Sequence, residues 1–588
     1  MAMRIEDYGL LGDTQTAALV GKDGSIDWLC MPRFDSGACF AALLGKPEHG
    51  RWLLAPAGPI RRTTRRYDGG SLVLHTDFET DEGAVRVIDF MPPRQRSPDV
   101  VRIVQGLRGR VEMRMHLVVR FDYGGVLPWA RRLDGTLAFV AGPDALALRT
   151  PVETRGEDLT TVAAFSVAEG DRVPFVLQWY PSNDPPPREV DAERALEETN
   201  RWWGEWVARS TYDGEWAEEV CSSLTVLKAL TYAPTGGIVA AATTSLPEQV
   251  GGVRNWDYRY CWLRDATFTL DALLAAGYTG EARDWRDWLL RAVAGDPADL
   301  QVLYGVSGER RLTELELPWL PGYEGSRPVR IGNAASEQTQ LDVYGEVMDA
   351  LHEARSAGIP PDDASWSLQR VLLGYLEGKW HEPDEGIWEV RGPSRHFTHS
   401  KVMAWVAFDR AVQAVERFGR PGDVDKWKRL RAEVHDEVCA RGFDAERGAF
   451  IQSYDSKRLD ASLLMIPLVG FLPASDQRVR GTVEAIEREL LVDGFVHRYA
   501  HDENVPKVDG LPPGEGAFLP CTFWLADNQH LLGRHADARA TFERLLGVRN
   551  DLGLLAEEYD VGLRRQVGNF PQAFSHVGLV NAAVGLSR

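Results

Sequence analysis

The spacing of apolar and polar residues changes once along this chain, and the change predicts two kinds of structure. In the first part the two classes alternate in short runs, and within one of these runs Val111, Met113 and Leu117 would share a face. Turn signals such as Gly142-Pro143 separate the runs. Short alternating runs between turns predict an antiparallel β-sandwich. The runs cover 71–78, 84–91, 111–120, 136–140, 146–148, 160–167 and 173–180.

Beyond this region the period becomes that of a helix. Trp216, Val220 and Leu224 recur at four-residue steps, which is typical of the apolar stripe of an amphipathic helix. The charged, tryptophan-rich stretch 192–208 is predicted to be a helix that joins the two regions. We find no repeat of fixed length, which a solenoid would show, and therefore favour a closed barrel of helix pairs. Further helices are predicted at 216–231, 265–277, 281–294, 338–356, 364–377, 400–418, 422–441, 459–470, 476–491, 518–532, 535–547 and 571–586.

The change of period predicts three segments. An N-terminal β-sandwich domain is expected over 1–190, a helical linker over 191–213, and a helical barrel over 214–588. A chain of 588 residues is too long for one ordinary domain, so at least two are expected. The proline-rich stretch 181–188 has the composition of a linker and lies at the end of the first domain.

Composition and charge exclude several classes of protein. With 44% hydrophobic and 26% charged residues, the chain has the balance of a globular protein. Its net charge of −20 is unsuited to nucleic acid, which rewards clustered basic residues. No apolar run approaches the roughly 20 residues that span a bilayer. We therefore expect neither a nucleic-acid partner nor a membrane partner.

The N-terminus and the cysteines indicate a compartment. The first residues lack a basic segment followed by an apolar one, so no secretion signal is expected. The six cysteines have no metal-type spacing and are expected to be reduced, which predicts a cytoplasmic protein. His396, His399 and His576 also lack the spacing of metal ligands and are expected to be loop or core histidines. No metal and no cofactor are predicted.

The stretch 255–265 has the composition of a sugar-binding segment. It holds four aromatic residues, two arginines and two aspartates, and it leads into a predicted helix. Aromatic rings contact the C–H faces of a sugar, while arginine and aspartate bind its hydroxyls. The alternative is an aromatic-rich helix start with an internal Arg–Asp pair, and this segment alone leaves both readings open.

Two carboxylate motifs follow far downstream. Glu389 stands beside Trp388 in a loop bounded by glycines, where partial desolvation would raise its pKa and suit it to be a general acid. The alternative is a surface loop with a packed tryptophan and a solvated glutamate. Glu557 and Glu558 follow a short apolar stretch. The alternative to a catalytic role is that they are acids at a helix N-terminus, where they interact favourably with the helix dipole. Only a fold could bring Glu389 and Glu557 together.

These segments resemble a known family. Tyr258–Asp265, Gly386–Glu389 and Ala556–Tyr559 resemble the three active-site segments of glycoside hydrolase family 15, which contains the glucoamylases and bacterial trehalases. The resemblance covers nearly the whole chain, and the combined order and spacing of the motifs are highly specific. Other segments that resemble bacterial members are 7–13, 24–33, 234–237, 243–248, 396–401 and 568–576.

The resemblance implies a fold and a mechanism. The fold would be an N-terminal β-sandwich (a supersandwich), a linker helix and a C-terminal (α/α)6 barrel. The mechanism would be inverting, with Glu389 as the general acid and Glu557 as the base that activates water on the opposite face of the sugar. The chain departs from fungal members, which carry a second acid after the acid glutamate and glutamine after the base, because it has Val390 and Glu558 there.

The resemblance also implies a glucose-binding set. One Arg–Asp pair would hold the hydroxyls of the terminal glucose, two aromatic residues would form its wall, and a further arginine would complete the polar contacts. The residues implied to bind substrate are Tyr258, Trp262, Arg264, Asp265, Trp388, Arg498 and Glu558.

The expected function is that of an exo-acting inverting α-glucosidase on a small oligosaccharide, most consistent with a trehalase. Trehalose is favoured because we expect neither secretion nor an appended starch-binding domain after the barrel. The alternatives are a glucoamylase-like enzyme on malto- or isomalto-oligosaccharides, a non-catalytic carbohydrate-binding protein, and a polysaccharide lyase. Loss of a glutamate would favour the binding protein, and a Tyr/His pair would favour the lyase. The sequence leaves open whether the protein forms a homo-oligomer.

Overall fold

The first half of the chain is a β-structure. The computed structural model describes residues 3–133, 135–360, 362–500, 509–512 and 514–588. Its main sheet joins strands β1 Tyr8–Gly12, β2 Ala17–Gly21, β3 Ser25–Cys30, β4 Ala38–Phe40, β5 Arg51–Pro56, β6 Arg62–Tyr67, β7 Leu74–Glu79, β8 Gly83–Phe90, β9 Asp99–Val118, β10 Trp129–Leu133, β11 Thr136–Ala141, β12 Asp144–Arg149, β13 Arg155–Glu157, β14 Thr160–Ala168 and β15 Arg172–Pro181.

The long strand β9 connects two halves of this sheet. Its first half pairs with β8 and β15, and its second half pairs with β5 and β14. All of these ladders are antiparallel. Val111, Met113 and Leu117 are buried as their alternation with polar residues predicts. The predicted antiparallel sandwich is confirmed.

The second half of the chain is helical. The described helices follow one another along the chain, and from α2 onward loops and short strand pairs connect them. They are α1 Ala192–Val207, α2 Ala217–Ala229, α3 Leu263–Ala275, α4 Thr279–Ala292, α5 Asp342–Ser356, α6 Asp363–Lys379, α7 Thr398–Glu416, α8 Val424–Arg441, α9 Met465–Leu468, α10 Gln477–Glu489, α11 Leu519–Leu531, α12 His535–Leu546 and α13 Ala573–Leu586.

Six of these helices close into an inner ring. Helix α3 packs on α5, α5 on α7, and the short α9 lies between α7 and α11; α11 packs on α13, which returns to α3. Helices α2, α4, α6, α8, α10 and α12 lie outside this ring and alternate with its members along the chain. Inner helix α7 is buried almost all round from Thr398 to Ala414, as expected for a helix inside a barrel. The predicted (α/α)6 barrel is confirmed.

The loops that enter the inner helices carry the candidate residues. Trp262 precedes α3, Glu389 lies in the loop before α7, Glu515 precedes α11, and Glu557 lies in the loop before α13. These helices enter the ring from the same end because an outer helix returns the chain between each inner helix and the next. Their N-termini carry partial positive charge, which favours carboxylates at this end of the barrel. The fold therefore gathers residues from distant segments into one site.

In the part of the chain that the structure describes, every helix is too short or too polar to serve as a transmembrane span.

Candidate active site

A pocket opens at the end of the barrel where these loops meet. Two larger cavities, of about 1000 and 620 Å³, lie elsewhere and contain none of the candidate residues. The pocket at the barrel end takes residues from four of the loops between helices. It is lined by Glu248, Arg254, Trp256, Tyr258, Asn333, Ala335, Gln338, Trp388, Glu389, Arg391, Arg498, Tyr499, Asp509 and Leu511.

An aromatic pair holds the two glutamates of the carboxylate motifs. The Tyr258 hydroxyl donates to Oε1 of Glu557 at 2.6 Å, and Nε1 of Trp262 donates to Oε1 of Glu389 at 3.1 Å. The Tyr258 and Trp262 rings pack edge to face with centroids 5.2 Å apart. Two carboxyl groups that are 168 residues apart in sequence are thus attached to neighbouring rings.

The loop of Glu389 is held in an uncommon conformation. Glu389 has a φ of 49°, in the left-handed region that costs a non-glycine residue about 1–3 kcal/mol. The side-chain amide of Gln338 donates to the carbonyls of Glu389 and Val390, both at 3.2 Å, and so fixes the turn. The Glu389 side chain is 20% exposed, and burial raises its pKa while Arg264 opposes the shift. Strained backbone of this kind is concentrated at functional sites.

Arg264 connects the Glu389 loop to Asp265. Its Nε donates to Oδ1 of Asp265 at 2.7 Å, and its Nη1 donates to the Ile387 carbonyl at 2.6 Å and to Oε1 of Glu389 at 3.1 Å. Arg264 and Asp265 are both buried and lie behind the pocket wall. The arginine–aspartate pair of the motif is therefore formed and is adjacent to Glu389.

Replacing Asp265 with asparagine is expected to lower kcat/KM by roughly 10- to 100-fold, because a charge-assisted hydrogen bond that orients Arg264 is lost. The melting temperature should change little, since asparagine keeps the volume and an acceptor oxygen. Asp349, which binds Arg410 at 2.6 Å away from the pocket, offers a matched control. Asp349→Asn should lower stability and leave kinetics unchanged. A large stability loss with ordinary kinetics in Asp265→Asn would mean that its pair is purely structural.

Three buried carboxyl groups meet beside Tyr258. Oxygen atoms of Glu248, Glu557 and Glu558 lie within 4.8 Å of one another, and each side chain is almost completely buried. Glu557 accepts hydrogen bonds from Tyr258 and from the Asn569 backbone N–H at 3.2 Å. Burial, then repulsion by Glu248, raises the pKa of Glu557 to about 8, and the pKa of Glu558 rises further for the same two reasons. Neighbouring carboxylates in a dry site cannot all ionise.

Arg498 is the main counter-charge of this cluster. Its Nη2 lies 2.9 Å from Glu248, 2.7 Å from Glu515 and 3.2 Å from Glu558. Arg254 adds a second positive charge, 3.2 Å from Glu515. Several acids therefore share two arginines, and their repulsion adds to the effect of burial in raising the carboxyl pKa values.

Trp388 forms part of the pocket wall next to Arg498. Its Nε1 donates to both carboxylate oxygens of Asp460, at 2.9 and 3.1 Å. The Arg498 guanidinium lies 5.7 Å from the centroid of its ring. Because the indole N–H is already bonded, Trp388 can offer a sugar only apolar ring surface.

The β-domain holds two of the active-site segments from behind. Arg259, next to Tyr258, donates to the carbonyl of Ser36 at 2.9 Å. Asn550, in the loop that leads to Glu557, donates to the carbonyls of Glu6 and Tyr8 at 3.1 and 2.9 Å. The sheet is therefore part of the framework that positions the site.

His576 supports the same loop from the barrel side. Its Nε2 accepts from the Leu555 N–H at 3.2 Å, and its Nδ1 lies 3.1 Å from the Ser223 hydroxyl. Burial lowers the pKa of His576 to about 3, so the ring is neutral. The expectation that it is a core histidine is confirmed.

The structure brings all nine candidate residues to one end of the barrel. Tyr258, Trp388, Glu389 and Arg498 line the pocket, and the other five are buried and contact these four or one another. Sequence reasoning gave no role to Glu248, although it lies in a segment that resembles the family, and none to Glu515. A lone glutamate near Gly or Pro carries no signal that it will pair with a distant arginine.

A sandwich joined to an (α/α)6 barrel, with a half-buried and a buried glutamate beside aromatic rings at one end, is the architecture of a glycoside hydrolase. The family model of glycosyl hydrolases family 15 matches residues 217–584, and a trehalase-like N-terminal model matches residues 1–203. This chain belongs to glycoside hydrolase family 15. It is therefore an enzyme that acts on sugar substrates.

Similar proteins extend over nearly the whole chain. A trehalase of Mycolicibacterium smegmatis is 40% identical across 99% of this chain and 91% of its own length. A trehalase of Thermoplasma volcanium is 34% identical across 99% and 93%. A solved bacterial glucoamylase in complex with acarbose superposes with a TM-score of 0.73 over 100% of this chain and 94% of its own, at 13% identity. That likeness shows the fold.

Proposed function

We propose that the protein is a trehalase that hydrolyses α,α-trehalose with inversion at one anomeric carbon. The observation that supports the substrate best is the 30–40% identity to proteins named trehalases along almost the full chain. The site itself supports an inverting glycosidase, because two carboxyl groups in different environments flank one aromatic pair.

Glu389 is the proposed general acid. Trp262 and Arg264 both donate to its Oε1, while Oε2 has no donor among the described residues and can carry the proton. The raised pKa favours the protonated form that an acid requires. The proton would pass from Oε2 to the glycosidic oxygen as the C–O bond breaks.

Glu557 is the proposed general base, and it must be ionised to take a proton from water. Two donors, the Tyr258 hydroxyl and the Asn569 N–H, stabilise its charged form. Among the described residues, the Glu558 side chain has only its contact with Arg498, an arginine that is shared among three carboxyl groups. We therefore assign the shared proton of the cluster to the Glu558 side, which leaves Glu557 as the carboxylate. A protonated Glu558 matches in shape and charge the glutamine that fungal members carry there.

Arg264 and Asp265 are proposed to hold the hydroxyls of the glucose that is attacked. Tyr258 and Trp262 form its aromatic wall, and Trp388 contacts its apolar face. Arg498 would serve this sugar mainly by holding the carboxyl cluster in place, since its guanidinium is already bonded to Glu248 and Glu515.

The substrate and the stereochemistry can be tested together by NMR. Inverting hydrolysis of α,α-trehalose should release equal amounts of β-glucose, from the attacked sugar, and α-glucose, from the leaving sugar, before mutarotation. A retaining enzyme would release only α-glucose. Maltose, isomaltose and soluble starch serve as comparison substrates. Negligible activity on trehalose with high kcat/KM on maltose or isomaltose would replace the trehalase proposal by the glucoamylase-like alternative.

A further inference from the structure

Arg391 stands beside the proposed acid and faces the pocket. It lies two residues beyond Glu389, lines the pocket, and its side chain is 34% exposed. Val390, between them, is 1% exposed and packs into the core, so it cannot contact a ligand. The first side chain after Glu389 that can reach a substrate is therefore that of Arg391.

Its guanidinium is held in place before any ligand binds. Nη1 and Nη2 donate to the two carboxylate oxygens of Glu314 at 3.2 and 2.7 Å. The guanidinium also lies 4.2 Å from the ring centroid of Trp256, whose Nε1 donates to Glu248 at 3.0 Å. The pair with Glu314 uses two of the five N–H groups, and the other three have no acceptor among the described residues. A fixed cation with free donors binds hydroxyls at little cost in side-chain entropy.

The position of Arg391 relative to the two glutamates indicates which of the two sugars it would contact. A general acid protonates the bond oxygen, so the leaving sugar must lie next to Glu389. Glu557 is fully buried at the inner end, where the attacked sugar belongs, and Arg391 is at the open end. We propose that Arg391, fixed by Glu314 and Trp256, binds hydroxyls of the leaving glucose and so helps to select the substrate. This inference rests on the proposed function, because it needs a disaccharide whose second sugar leaves past the acid.

Comparing two substrates tests this role. Trehalose presents a second sugar to Arg391, whereas α-glucosyl fluoride has the same first sugar and only fluoride as its leaving group. Arg391→Ala should lower kcat/KM for trehalose by about 10- to 100-fold, as loss of a charge-assisted hydrogen bond does. Hydrolysis of α-glucosyl fluoride by the same variant should stay within about twofold of wild type, which also shows that the protein is folded.

Two further variants sharpen the result. Arg391→Lys keeps the charge but loses the planar fork and the stacking on Trp256, so its trehalose activity should stay impaired. Arg488→Ala removes an exposed arginine on α10 and should leave kcat/KM unchanged for both substrates. Equal losses on both substrates would show that Arg391 only supports the Glu389 loop, and an unchanged trehalose rate would exclude the contact; either result overturns the inference.

The inference and the proposed function can fail separately. If the wild type cleaves maltose and not trehalose, the trehalase proposal is wrong. The same variants are then compared on maltose and α-glucosyl fluoride, and a selective loss on maltose would still assign Arg391 to the leaving sugar.

Discussion

Replacing Glu557 with glutamine is expected to lower kcat by roughly 10²- to 10⁴-fold, because no group then removes the proton from the attacking water. The fold should survive the change. Glutamine has the same shape, its oxygen can accept from the Asn569 N–H while its NH2 donates to the Tyr258 hydroxyl oxygen, and a buried carboxyl group is removed from a crowded cluster. Kinetics on trehalose together with thermal unfolding would check both statements.

Chemical rescue distinguishes a base from a merely structural glutamate. Glu557→Ala leaves room for a small anion, so azide should attack α-glucosyl fluoride and form β-glucosyl azide without needing a base. Rescue in this variant, with no effect of azide on wild type, is the expected pattern. Near-normal hydrolysis by Glu557→Gln, or α-glucose as the first product from the attacked sugar, would contradict the assignment.

Replacing Glu389 with glutamine is also expected to lower kcat for trehalose by roughly 10²- to 10⁴-fold, because the leaving glucose then receives no proton from the enzyme. The leaving glucose needs a proton, whereas fluoride departs without one. Glu389→Gln should therefore retain most of its activity on α-glucosyl fluoride, while Glu557→Gln should lose activity on both substrates. If the two variants exchanged these behaviours, the acid and base assignments would be reversed.

The pH profile offers an independent check on Glu389. An acid must be protonated, so trehalose hydrolysis should fall as the pH rises through the pKa of Glu389. Burial raises this pKa above its usual value, and the loss should therefore begin at a higher pH than for an exposed glutamate. With α-glucosyl fluoride the same high-pH loss should be absent, because its leaving group needs no proton.

The helices and strands could be predicted from the sequence because each one is buried either on one face or on all sides. Val111, Met113 and Leu117 alternate with polar residues, and the structure buries that face as predicted. Most helices fall where the three- and four-residue spacing placed them, since packing against a ring gives a helix a continuous apolar face. The helix predicted at 459–470 is wrong in extent, because the structure has a 3-10 turn at Ala461–Leu464 followed by the four-residue α9. Closure of the ring was inferred only from the missing repeat and the family resemblance.

The polar network around the glutamates could not be predicted in the same way. Glu248 reaches Arg498 and Glu515 from a different loop, and no periodicity links such positions in sequence. The raised carboxyl pKa values depend on how many acids share that arginine, which is a property of the assembled loops. Motif resemblance identified Arg498 itself but not the partners that it holds.

The contact between Asn550 and residues 6–8 has a consequence for how the enzyme is made. These groups are 544 and 542 positions apart in sequence, so the anchor of the Glu557 loop is translated long before the loop itself. At roughly 5–20 residues per second, the two are separated by about 30 to 110 s of synthesis. A nascent chain can fold its sheet and most of its barrel during that interval, but the loop that carries Glu557 has not yet been made. Hydrolysis can therefore begin only after the loop that carries Glu557 has been synthesised.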